Sequence, residues 1–543
     1  MKRYLSIALL ICMLVTPIVI AEPSDVAWAP ETMPFFDDPH TLSLVTMRNI
    51  LSTVPSEEKW FYKWASGAMG LNFEITEVEY TERNEKLNLI FASDDLPDVF
   101  YNCDLTANEI ALYGAKEQQL IPLNDLIDQY APNIKAFMEA EPEIAATFYY
   151  TDGNIYSLPS FIGYNSYENY TTTRAWINQT WLKNLGLENP TTLDEFYEVL
   201  KAFKEKDANG NGDPNDEIPL GENIQNLTLL MLNLMGVMTR SGSTLDPAIC
   251  KGKAIIPANE KDLYKNFLSI MSKYYAEGLI DQDVFTLTGT QQQANATANI
   301  IGLHMQGAPY SLPIADYNDW TTIRPMTSEY NDTLLWPESN PLQIGKFSIT
   351  HKCEDPEAAI RFADWHFTQQ GSLYSFFGPA EGSEDTLGMV GGWYYKDDTE
   401  SVDFRYSDGI EKQVDYVAWI GNGSHTHVGI SMNYTALETL LGHKITNQAF
   451  AGPAYWRNLM NEYVVPYYSA CYPPLYFTLD TSARQIELQT PLNDYITIME
   501  AKFISGEIGI DQFDSYYEEL QKMGLGEFAS YYESAYAEYL SRM

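Results

Sequence analysis

Positive charge and cysteine are both scarce in this chain. Only 33 Lys and Arg stand against 74 Asp and Glu in 543 residues, a formal charge of −41. Phosphate backbones and anionic lipid surfaces are gripped by clustered cations, so no nucleic-acid partner and no membrane-surface role are expected. The five cysteines, Cys12, Cys103, Cys250, Cys353 and Cys471, form no CxxC pair, which removes zinc and redox motifs and leaves any disulfide unassigned. The last four are read as small buried apolar residues. Beyond residue 21 there is no apolar run of the roughly 20 residues that a membrane-spanning helix needs. Missing too are a GxSxG elbow, an HExxH pair and a phosphate loop, which takes away the readily recognised hydrolases and nucleotide enzymes. Without internal repeats or stalk-like linkers, a surface adhesin or scaffold is not expected either.

What is present describes a folded, exported chain. A composition of 45% hydrophobic and 13% aromatic residues, with 38 Tyr and 11 Trp, buries a large core and excludes disorder. Single cores stop growing near roughly 250–300 residues, so two units are the natural division of this length. Residues 1–21 read as a signal peptide: Lys2 and Arg3, an apolar stretch from Leu5 to Val15, Pro17, and Val19-Ile20-Ala21 before Glu22. The expected location is extracellular, secreted or at the cell surface, or periplasmic in a Gram-negative cell. A lipid anchor at Cys12 is not expected, because Ile11 rather than a small residue precedes it.

The pattern from Leu42 to Tyr101 is βαβ in texture. Leu71, Phe73 and Ile75 alternate with polar neighbours as in a half-buried strand, Arg83 to Ala92 is helical, and Asp98-Val-Phe-Tyr101 is extended. Thr192-Leu-Asp-Glu195 predicts a capped helix start, and Asp355-Pro356 another. At the C-terminus Phe513, Tyr516, Tyr517 and Leu520 form one helical stripe, and Phe528, Tyr531, Tyr532, Ala535, Tyr536 and Tyr539 form a second. Stripes at that spacing pack a core, and Trp181 beside Leu182 and Leu185 is expected there as well.

One motif carries chemistry. Asp207-Ala-Asn-Gly-Asn-Gly-Asp-Pro-Asn-Asp-Glu217 places oxygens at 207, 209, 211 and 213 and again at 215, 216 and 217. Hard cations take six to eight oxygens, and such a loop wraps Ca²⁺ when Gly210 and Gly212 let it bend. It begins like an EF-hand, but Ile218 occupies position 12 and Pro219 prevents a following helix. The competing reading is a plain Asn/Gly/Asp turn. A structural calcium is the expectation.

An ordered set of segments then resembles the family 1 extracellular solute-binding proteins of carbohydrate ABC transporters, in the branch of alginate-, aldouronate- and other oligosaccharide-binding lipoproteins. The segments are Ser93-Asp-Asp-Leu-Pro-Asp-Val99, Leu120 to Asn133, Asp152-Gly-Asn-Ile-Tyr-Ser-Leu-Pro159, Ile177 to Leu187, Pro190 to Phe196, the loop with Glu217-Ile-Pro-Leu220, and Lys502-Phe-Ile-Ser-Gly506. They extend over almost the whole mature chain. Thr180 departs from the Asp usual before the Trp, and the 207–217 loop is one residue longer than the common form. The second departure leaves open which of Asn215 and Asp216 reaches the ion.

The resemblance implies an α/β fold of the two-lobed, periplasmic-binding-protein-like kind, with a hinge and a ligand cleft between the lobes. It divides the chain into an N-lobe of 22–160 plus 300–350 and a C-lobe of 161–299 plus 351–543. It implies a monomeric, non-enzymatic protein that passes an oligosaccharide to an ABC permease. It also implies Asp207, Asn209, Asn211, Asp213, Asp216 and Glu217 as Ca²⁺ ligands, Asp213 through its backbone carbonyl. Sugar contacts need aromatic platforms in breaker-rich segments. That criterion selects Tyr164, Tyr310, Trp336, Trp393 and Tyr394, and Glu381 lies in a turn resembling one near the family's cleft. For each aromatic, packing under a loop is the competing reading. The rival function is a secreted glycoside hydrolase, whose two carboxylates no spacing argument excludes among 74 acids.

Overall fold

The alternation at Leu71, Phe73 and Ile75 becomes, in the computed structural model, the strand Leu71–Glu79, paired in parallel with His40–Arg48. The structure describes residues 33–543 apart from 49–53, 165–173, 339–341, 389–390, 396–400, 405–428, 433–443, 446–455 and 457–458. The signal peptide and Cys12 therefore lie outside the described residues. Helix Arg83–Ser93 follows, and Val99–Tyr101 then pairs in parallel on the other side of His40–Arg48. The six-stranded sheet runs, in spatial order, Gly429–Met432, Leu158–Tyr164, Leu342–Ile349, Val99–Tyr101, His40–Arg48, Leu71–Glu79. On one face Trp60, Phe61 and Trp64 pack with Phe362 and Trp365; on the other Leu87, Phe91, Phe100 and Ile110 form a second layer.

A four-stranded sheet, Trp320–Thr322, Ala175–Asn178, Ile301–Met305, Ile218–Leu220, organises the other lobe. Its largest core joins helices Leu193–Glu205, Ile224–Leu234 and Lys261–Ala276 to the three C-terminal helices Leu479–Ser505, Phe513–Lys522 and Leu525–Arg542. Thr192 caps the first of these by accepting from the Glu195 N–H at 3.1 Å, and Asp355 caps Pro356–Trp365 at 3.0 Å, both as expected. Trp181 is fully buried against Phe203, and Phe528 and Tyr532 of the C-terminal stripe pack as a core face does. Cys103, Cys353 and Cys471 are buried, Cys250 is half-buried, and all four are free thiols. Among the described residues no helix is long and apolar enough to cross a membrane.

The division between lobes is corrected at Gly429–Met432, which pairs with Leu158–Tyr164 in the N-lobe sheet, and over two longer stretches. Residues 301–337 belong with the C-lobe, because Ile301–Met305 pairs with both Ile218–Leu220 and Ala175–Asn178. Residues 342–377 belong with the N-lobe, because Leu342–Ile349 lies within its sheet and Phe362 and Trp365 stack on Phe61. Pairing partners more than 80 residues apart decide both.

Candidate binding cleft and cation loop

Strand direction locates the cleft. His40–Arg48, Leu71–Glu79 and Val99–Tyr101 are parallel, and the chain goes to one side of the first strand and then to the other. Ligands bind outside the carboxyl ends of parallel strands at such a switch point. Leu158–Tyr164 leaves the sheet at that same end, and the chain enters the second sheet at Ala175, beside Met305 at the carboxyl end of Ile301–Met305. Trp320–Thr322 exits at that end too and returns to the first sheet at Leu342. Both crossings thus join the same two sets of strand ends, which border one junction.

Sequence reasoning missed the N-lobe side of this junction. Asn102 and Asp104, immediately after Val99–Tyr101, hold left-handed backbone with φ of 57° and 53°. Such conformations persist only where their surroundings over-determine them. Here Arg83 does so: its Nε donates to the Cys103 carbonyl at 2.9 Å and Nη2 to the Asp104 carbonyl at 2.7 Å, while the guanidinium forks onto Glu109 at 2.9 and 2.6 Å. The Lys346 carbonyl accepts from the Asn102 N–H at 2.6 Å, and the fully buried Lys346 ammonium pairs with Asp104. Arg48 pairs with Glu79 at 3.0 Å on the neighbouring strand ends. The Asn102 side-chain oxygen is buried with no partner among the described residues. The one available signal was the polar run Asn102-Cys-Asp104 closing a buried strand.

On the C-lobe side Glu222 follows Ile218–Leu220. It is fully buried, accepts from the Met305 N–H at 2.8 Å and the Asn223 N–H at 3.0 Å, and burial pushes its carboxyl pKa up. Beside it Gly307-Ala-Pro-Tyr310 continues from Met305, and Arg174 donates to the Gly307 carbonyl.

The predicted sugar contacts divide between these strand ends and the cores. Tyr164 ends the strand Leu158–Tyr164, and Tyr310 sits in the turn Pro309–Ser311 just past Met305, both bordering the junction; their side chains lie outside the described residues. Trp336 is corrected to core. Only 1% exposed, it anchors the short strand Trp336–Pro337, which pairs in parallel with Tyr468–Ser469. Trp393 is corrected likewise. It is buried and its indole N–H donates to the Gly378 carbonyl at 3.1 Å, so it packs beneath its neighbouring segment as the competing reading held. Tyr394 is half-buried on the same strand, and Glu381 is exposed, its N–H bonded to the Trp393 carbonyl at 2.8 Å.

The 207–217 loop joins helix Leu193–Glu205 to strand Ile218–Leu220. Asx turns shape it: Asn209 accepts from the Asn211 N–H at 2.9 Å, Asn211 from the Asp213 N–H at 2.7 Å, and Asp207 from the Gly212 N–H at 3.0 Å. Gly212, at φ 93°, makes the bend. The Asn209 and Asn211 amide N–H groups converge on Asp216 at 3.1 and 2.7 Å. Asn215 instead bonds Asp213, whose exposed side chain does not join the group. Glu217 is fully buried, with Oε1 on the Ala208 N–H at 2.8 Å; Oε2, like Asp207 Oδ1, is buried with no partner. Burial pushes the Glu217 carboxyl pKa up. Two orphaned carboxylate oxygens and a third carboxylate held by amides are a donor set fitted to a hard cation. Among the described residues, this loop included, no three Asp, Glu, His or Cys side chains gather as a metal site, so the Asn oxygens would have to complete the set.

A family model for bacterial extracellular solute-binding proteins matches residues 55–371. The chain is 27% identical over 519 residues to the fructooligosaccharide ABC transporter substrate-binding protein FusA of Streptococcus pneumoniae serotype 4, covering 92% of this chain and 90% of FusA. FusA in complex with kestose shares the fold at a TM-score of 0.64 and 24% identity, over 93% of this chain and 100% of that one. An HMO-binding, ABC-transporter-associated solute-binding protein from Bifidobacterium longum infantis gives 0.74 at 21% identity, over 93% and 99%. The alginate-binding protein AlgQ2, solved without calcium ion, gives 0.61 at 23% identity, over 92% and 99%.

Proposed function

This chain belongs to the bacterial extracellular solute-binding proteins, and from that premise we propose that it captures an oligosaccharide at the junction of its lobes and delivers it to an ABC transporter permease. The family and FusA are substrate-binding proteins, not enzymes, which removes the glycoside hydrolase. The observation that carries the proposal is the shared border: both crossings connect the same carboxyl strand ends, where Asn102, Asp104, Glu222 and the backbone of Tyr164 and Tyr310 lie. Hinge closure over that border buries a ligand from both sides. A monomer completes the proposal.

The loop site is proposed to hold one structural Ca²⁺. Asp207, Asn209, Asn211, Asp216 and Glu217 would supply side-chain oxygens, and Asp213 its carbonyl. The ion would neutralise three carboxylates and tie the helix end at Glu205 to Ile218. In support, AlgQ2 was solved in a form specified as without calcium ion, and FusA as an EF-hand mutant.

Thermal-shift screening of an oligosaccharide panel tests the function: at least one sugar raises the Tm and is recovered intact. Release of shorter sugars, or no shift with any member, would overturn the reading. For the ion, EDTA lowers the Tm and added Ca²⁺ restores it, and Asp207→Ala removes that response; an EDTA-insensitive wild-type melt overturns the calcium site.

A further inference from the structure

Helix Trp60–Met69 carries a loop to the carboxyl strand ends of the N-lobe. Its last turn leads through Gly70 into Leu71, the amino end of Leu71–Glu79, so Trp60 lies at the opposite, carboxyl side. The Glu77 carboxylate, near the end of that strand, accepts from the Ser56 N–H at 2.9 Å just ahead of the helix and fixes the same placement. Here the loop 383–388 is fastened. The Asp385 carbonyl accepts from the Trp60 indole N–H at 2.6 Å, and the Asp385 carboxylate accepts from the Trp64 indole N–H at 3.3 Å and from the Tyr374 hydroxyl. Thr386 is buried and its hydroxyl donates to the Ser383 carbonyl at 2.8 Å, while the Leu387 N–H closes the turn on the Glu384 carbonyl at 3.2 Å.

The side chain this loop holds out is Leu387, 51% exposed and at φ 51°. Seven described non-glycine residues have positive φ, and the other six are Asp, Asn, Gln or Lys. Asn and Asp offset the left-handed conformation with local hydrogen bonds, which leucine cannot make. Glycine or asparagine costs least just past a helical turn, and Gly388 follows in the same conformation at φ 80°. A half-exposed leucine also gains little from burial within its own chain. Strain and exposed apolar surface therefore fall on one residue, in a loop fixed by three anchors, and outliers of this kind persist where a ligand is clamped. At the same strand ends Asn102 and Asp104 supply polar groups. A ligand pocket needs both kinds, apolar surface for contact area and a few polar groups for orientation, and a sugar ring presents a C–H face to the first.

We propose that Leu387 is an apolar lip of the binding site, which packs on a ring face of the bound oligosaccharide when the lobes close. This rests on the oligosaccharide reading above and deepens it by assigning part of the affinity to one residue outside the strand ends themselves.

The test is calorimetry on the full chain with kestose, maltotriose, cellotriose and trigalacturonate, followed by three variants measured with whichever of them binds. Leu387→Gly weakens binding about five- to tenfold, the loss expected for half a leucine's burial. Its ligand-free Tm stays at or above wild type, because glycine adopts the left-handed backbone without strain. Leu387→Asn, which also suits that backbone, weakens binding alike with the Tm unharmed. Leu387→Met keeps an apolar side chain and holds the affinity within about twofold of wild type, since volume-conserving apolar exchanges are tolerated best. Wild-type affinity in the Gly and Asn variants overturns the lip, leaves the oligosaccharide reading standing and turns Leu387 over to the permease. An equal loss in all three variants overturns it as well, because loop shape and not apolar contact would then govern binding. Binding of no panel member by the wild type overturns both readings.

Discussion

Glu500 shows how far a single buried acid reaches. From helix Leu479–Ser505 its Oε1 accepts from Thr244 Oγ1 at 2.6 Å and from the Tyr264 hydroxyl at 2.9 Å, and Tyr264 in turn meets Tyr516 at 2.8 Å. Burial pushes its pKa from 4.5 up to about 6. Folding therefore favours the protonated acid: its contribution is complete below pH 4.5 and is lost as pH rises through about 6. The shift is worth about 2 kcal/mol at 1.36 kcal/mol per unit. Glu500→Gln keeps an acceptor for both hydroxyls and cannot ionise. Its Tm matches wild type near pH 4.5 and exceeds it above pH 6.5; melts recorded from pH 4 to 8 check this, and parallel curves would refute it. Neither this acid nor the Arg83 fork on Glu109 was legible in the sequence, because each joins residues that only the folded chain brings together. Asp207 and Glu217 were legible, since a contiguous run rich in Asn, Gly and Asp builds their site locally.

Elements were read best where one residue fixes them. Thr192 caps its helix by the spacing that predicted it, and Thr192→Ala should cost about 1 kcal/mol, measured by urea denaturation. Strand edges that depend on distant partners were not readable, and Gly345 marks the place. In Leu342–Ile349 the register shifts between Gln343 and Phe347, and Gly345 sits there at φ 74°. A Cβ at that position would lie 2.0 Å from the Leu105 carbonyl oxygen. The irregularity brings Lys346 to Asp104 and lets the Gly345 carbonyl accept from Leu105 at 3.0 Å. Gly345→Ala combines a left-handed penalty with a backbone clash and should cost at least about 2 kcal/mol. Because the same bulge presents Asn102 and Asp104 to the junction, the variant that still folds should also lose sugar affinity; calorimetry showing wild-type binding would separate the two roles. Trp336 and Trp393 were misread for a related reason. A breaker-rich neighbourhood identifies a loop, and it does not say whether the aromatic beside it faces solvent or the core beneath.

At the scale of the molecule the last helix touches both lobes from one rigid piece, as does Leu479–Ser505, whose Leu479 packs on the N-lobe layer and whose Leu488 and Leu492 lie in the C-lobe core. Leu525, Phe528 and Ala529 lie in the C-lobe core, and the 18 residues of Leu525–Arg542 extend about 27 Å from there. At the far end Arg542, held by Glu538 at 2.6 Å, donates to the N-lobe carbonyls of Tyr149 at 3.1 Å and Tyr150 at 3.5 Å. Nearby, the chain passes from Tyr472 in the C-lobe to Tyr476, which packs on Tyr150 in the N-lobe. A hinge motion must keep or break the Arg542 contacts, since a helix does not stretch to follow a moving lobe. Arg542→Ala removes them without altering any residue at the cleft. Its ligand-free form should show a broader distance distribution in small-angle scattering than wild type, and the two should converge when ligand is saturating. Affinity should change only by the factor through which the binding-competent population has shifted. Identical ligand-free scattering would mean that the helix tip rides with the N-lobe without biasing it, and the lobe equilibrium would then rest on the paired crossing strands Trp336–Pro337 and Tyr468–Ser469.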